Sequence, residues 1–149
     1  MDDRPDQRLR LAGFAFAIGS AVHLLDHLRR GQASVADELY WADNLALVVQ
    51  VVVITLIVTR HRLAAVAALA AGIPLALGFL SAHWLPTWSA LSDPVWEIDS
   101  IRAFSYVASS LEVVSALAVG LAGLGVVRAR GLASFARPRR EAVGARPGR

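Results

Sequence analysis

The sequence predicts an all-α protein: a bundle of four transmembrane helices with both termini on the cytoplasmic side. Three observations lead there. Hydrophobic residues form 56% of the chain and charged residues only 18%, against about 45–50% and roughly 25% in a soluble domain. The excess falls into four blocks, over residues 9–28, 44–59, 63–82 and 104–127, each near the ~20 residues that cross hydrocarbon. The arginines cluster at one side of the resulting topology, as the positive-inside rule requires.

Residues 1–8 are polar and read as a short cytoplasmic segment. The first block, 9–28, ends in "HLLDHLRRG". That ending lacks the small-residue site of a cleaved signal peptide, so the block is expected to stay as a helix. Residues 29–43 form a loop with some amphipathic character, and Asp43 or Asn44 suits the N-cap of the next helix. The second block, "NLALVVQVVVITLIVT", is rich in β-branched residues. A lone strand in lipid would leave its backbone unpaired, so this block too reads as a helix. "RHR" at 60–62 is a tight connection and makes helices two and three antiparallel. Gly72 and Pro74 predict a kink or a close contact in the third block. Residues 83–103 form the longest connection, and 128–149 read as a disordered Arg-rich cytoplasmic tail.

All fifteen basic residues are arginine, and twelve of them precede helix one, join helices two and three, or follow helix four. This explains the net charge of +3 and the pI near 10.5 without nucleic acid as a partner. The expected partners are the lipid bilayer, with anionic headgroups at the Arg-rich tail. Trp41, Trp84, Trp88, Trp96, Tyr40 and Tyr106 all fall on the opposite, outer side, where amphipathic rings anchor to the interface. The expected location is the plasma membrane. Cysteine is absent, which excludes disulfides, thiolate metal sites and cysteine nucleophiles.

Polar residues inside the spans mark a candidate site. His23, Asp26 and His27 lie at i, i+3 and i+4, on one face of helix one. His83 ends helix three, and Glu112 lies inside helix four, roughly 12 Å below its outer end. Gln50 shares a face of helix two with Asp43 and Leu47. A carboxylate at such depth costs several kcal/mol unless paired or neutralised, so Glu112 should face the bundle interior. Histidines at i, i+4 can bind one ion from one helix face. His23, His27 and His83, with Asp26, form the candidate ligand set for a divalent metal, zinc or iron. Glu112 is the candidate catalytic base for metal-assisted chemistry on a lipid-borne substrate. Two other readings stand beside this one. One is a non-enzymatic accessory subunit or assembly factor of a larger membrane complex, or a homo-oligomer. The other is haem b held between His23 and His83.

"HLLDH" resembles the histidine boxes of membrane desaturases, but those families carry far more histidines than the four found here. With "HLLDHLRRG" on span one and "SAHWLPTWSALSD" after span three, the chain resembles small, uncharacterised four-span membrane proteins of high-GC actinobacteria. That resemblance implies the fold and a bacterial source. It brings no activity with it.

Overall fold

The computed structural model describes residues 4–31, 34–98 and 102–131. They form four long helices: α1 (Arg4–Arg30), α2 (Asp37–Val58), α3 (Ala64–Trp84) and α4 (Arg102–Arg130). A short 3₁₀ turn, Val95–Glu97, lies between α3 and α4. All four helices are long and apolar enough to cross a membrane. Large apolar side chains point outward along them, among them Leu11, Phe14 and Ile18 on α1, Leu45 and Val48 on α2, and Val114 and Leu121 on α4. Such a belt is out of place in water and fits lipid contact. This is the architecture of a multi-pass membrane protein.

The helices run past the apolar blocks that announce them. α1 starts at Arg4, within the polar segment assigned to residues 1–8, and α4 continues to Arg130. α2 starts at Asp37 and takes in half of the loop expected before it. Asp37 and Glu38 in its first turn complement the positive end of the helix dipole. Ala36, rather than Asp43 or Asn44, occupies the N-cap, and the Asn44 side chain donates to the Tyr40 carbonyl within the helix. Asp43 therefore projects from the body of α2, not from its end. The Arg-rich tail beyond residue 131 lies outside the described residues.

α4 is the central element, packed closely on α3 and α1. Small residues let the backbones meet. A Cβ on Gly72 of α3 would stand 2.6 Å from the Gly120 nitrogen, and one on Gly123 would stand 2.6 Å from the Ala65 carbonyl oxygen. Pro74 stays inside α3, so the close contact expected around Gly72 is present. α2 is held less tightly: 17% of its apolar window is buried, against 44% for α4. Its stand-off position leaves a gap beside α1 at one end of the bundle. The aromatic residues gather at that end, where Trp84 and Tyr106 meet edge to face.

Candidate metal centre

His23 and His27 are one helical turn apart on α1, and α3 brings His83 to them from its last turn. The ring centroids are 4.7 Å apart for His23 and His27, 5.0 Å for His23 and His83, and 6.1 Å for His27 and His83. Phe79, one turn below His83, covers the apolar side of the group. One ligand atom from each of the three imidazoles lies within 4.8 Å of the others. Tetrahedral zinc with bonds of about 2.0–2.1 Å needs these nitrogens about 3.3 Å apart. Metal binding would therefore have to draw the three rings closer together.

The hydrogen bonding of the three rings differs in an informative way. His83 Nδ1 lies 3.0 Å from the Asp93 carbonyl oxygen and must donate to it. This leaves Nε2 with its lone pair, buried and without a partner among the described residues. His23 is only 8% exposed, and both of its nitrogens lack a partner among the described residues. Buried polar atoms are normally satisfied, and each one left unmade costs about 1–3 kcal/mol. An ion that accepts one lone pair from each ring would relieve part of this penalty, and the N–H of His23 is left to the adjoining cavity.

The Asp43 carboxylate of α2 lies against His27. Its Oδ2 lies 3.4 Å from His27 Nε2 and is buried without a hydrogen bond among the described residues. The ligand atoms that lie within 4.8 Å of one another are those of the three imidazoles, and Asp43 joins the group through His27 alone. Behind them, Asp93 and Arg30 brace His83. The Arg30 guanidinium, 3% exposed, donates twice to Asp93 Oδ2 at 2.7 and 2.6 Å. Burial pushes the Asp93 carboxyl above the usual carboxylate range, and Arg30 and His83 oppose the rise. Such outer partners fix the tautomer and direction of a ligating imidazole.

The other two candidate residues sit elsewhere. Asp26 Oδ1 accepts from Arg29 at 2.7 Å and from the Ser105 hydroxyl of α4 at 3.0 Å, and Oδ2 lies 4.0 Å from Arg30. It ties α1 to α4 instead of joining the histidines. Glu112 is fully buried at the bundle centre, and its Oε1 accepts from Gln50 Nε2 at 2.9 Å. That bond crosses the bundle from α2 to α4. Gln50, in turn, lines a cavity of about 360 Å³ together with His23, His27 and Asp43. The cavity lies between α1 and α2, and Leu24, Leu28 and Leu47 form its apolar wall. His61 is at the other end of the chain's fold, in the α2–α3 turn.

No protein-family model, curated protein or solved structure matches the chain. The site must therefore be read from its own geometry. Edge-to-face rings at 5.0 Å leave no slot for a macrocycle between His23 and His83, so the arrangement does not favour haem. Asp43, Asp93 and Arg30 are the participants that reading the sequence alone passes over. Asp43 carried a signal, since it shares a face with Leu47 and Gln50 at helical spacing.

Proposed function

We propose that the protein is a plasma-membrane metalloprotein. Both termini are cytoplasmic in this reading, so the histidine end faces outward. His23, His27 and His83 bind one divalent transition metal, zinc first and iron(II) second, and Asp43 serves as the oxygen ligand. The observation that carries this reading is His23: a buried imidazole with neither nitrogen hydrogen-bonded among the described residues, in contact with two other imidazoles. Three imidazoles and one carboxylate suit zinc in tetrahedral geometry, and mixed His/carboxylate sets also suit iron(II).

Asp43 decides what the ion does. Bound to the metal, it closes a structural site. Held at His27 as an outer partner, it would leave the three imidazoles as ligands and one position open, and the metal would supply Lewis-acid activation of water there. The cavity beside α1 then brings the polar head of a lipid-borne substrate to the ion. The proton of such a water would leave through the cavity, and Glu112, which accepts from Gln50 Nε2, would hold that amide in the cavity wall.

The test is elemental analysis of protein purified without chelator. Near-stoichiometric zinc or iron that is lost in His23→Ala supports the proposal. Metal-free protein that stays metal-free after exposure to zinc and iron(II) refutes it. That result favours the accessory-subunit reading, which the shallow seating of α2 and the exposed Trp41 at its start support.

A further inference from the structure

The opposite end of the bundle carries a second cavity, of about 520 Å³. Arg10 of α1, Arg60, His61 and Arg62 of the α2–α3 turn, and Arg130 of α4 line it, with Asp6 as the one acid. Asp6 pairs with Arg130. Positive-inside topology accounts for arginines at this end. It does not account for a cavity walled by them, nor for the backbone of Arg60.

Arg60 has φ of 53°, the single positive-φ non-glycine among the described residues. It stands just past the end of α2, where its N–H donates to the Ile57 carbonyl at 3.1 Å and the His61 N–H donates to the Leu56 carbonyl at 2.9 Å. This double bond pattern ends many helices, and glycine is the usual residue at the left-handed position because it adopts that backbone without steric cost. An arginine held there points to a use for its side chain. His61 is fixed as well. The Leu63 N–H donates to its Nδ1 at 3.2 Å, so in the neutral ring Nε2 carries the proton and is a donor. Ile57 and Val126 give the cavity an apolar floor.

We propose that this cavity binds the phosphate group of an anionic phospholipid. Guanidinium forks match phosphate oxygens in pairs, the His61 N–H adds a neutral donor, and the apolar floor takes the glycerol and first acyl carbons. Basic pockets between helix ends on the cytoplasmic side are suited to such headgroups. This site is independent of the metal and of the histidine end.

The experiment follows thermal unfolding of the full-length protein in a neutral detergent. A short-chain phosphatidylglycerol raises the midpoint by about 2–4 °C, and phosphatidylcholine does not. Arg60→Gly leaves the lipid-free midpoint equal or higher and abolishes the phosphatidylglycerol shift. The double variant Arg10→Gln/Arg62→Gln also abolishes it. Replacing the five arginines after residue 131 by glutamine leaves the shift in place. The proposal falls if inorganic phosphate at equal concentration gives the same shift, which assigns a free anion. It falls equally if Arg60→Gly and the double variant both keep the full shift, or if only the tail variant loses it.

Discussion

Replacing His23 by leucine should stabilise the metal-free protein and destabilise the metal-loaded one. The sign change follows from the ring's surroundings. His23 is 8% exposed and both ring nitrogens lack partners among the described residues. In the absence of metal, each unmet nitrogen is a desolvation cost of about 1–3 kcal/mol, and an apolar side chain of similar size removes it. Imperfect repacking around Phe79 offsets part of that, typically by less than about 1.5 kcal/mol. With each nitrogen at the low end of that range, the expected net gain in chelator is about 0.5–2 kcal/mol, or roughly 1–8 °C in the midpoint. With zinc present the ranking reverses. Wild type gains about 2.7 kcal/mol when free metal reaches one hundred times its Kd, whereas His23→Leu gains little. The assay is thermal unfolding of both proteins in detergent, with EDTA and with zinc. A loss of stability in His23→Leu of equal size under both conditions would refute the reasoning. It would mean that His23 serves as an ordinary interhelical hydrogen-bonding group.

Three further outcomes are expected. Asp93→Asn and Arg30→Gln should each weaken metal affinity by less than about 10-fold without changing stoichiometry, because His83 bonds to the Asp93 main-chain carbonyl, which both variants keep; competition with a chromophoric chelator reads this. Asp43→Asn should keep the bound metal but alter its coordination, visible in the d–d spectrum of the cobalt-substituted protein, while Asp26→Asn should leave that spectrum unchanged. Gly72→Leu should cost stability by about 1–3 kcal/mol or more, since even its Cβ would stand 2.6 Å from the Gly120 backbone; thermal unfolding of that variant checks it.

The four helices were legible in the sequence because lipid sets their length and forbids unpaired backbone. Their ends were not. Asp37 and Glu38 look like loop residues by hydropathy, yet they suit the first turn of a helix that emerges into the interface. The same shift hid Asp43, which reads as a cap when the helix is expected to begin beside it. His23 and His27 were legible from their i, i+4 spacing, and His83 from the antiparallel topology that returns α3 to the same end. Asp26 shares the face of the histidines by count. Arg29 and Arg30 follow it at i+3 and i+4 and turn it toward α4, and that competition was already present in "DHLRR". The Arg30–Asp93 pair spans 63 positions, a separation that no local pattern reports.

The most direct test of the metal site is X-ray absorption at the zinc edge on the purified, zinc-loaded protein. A single ion with a nitrogen/oxygen shell is expected, with outer scattering from three imidazoles and loss of one imidazole in His83→Ala. Scattering from fewer than two imidazoles, or a spectrum identical in His83→Ala, would contradict it.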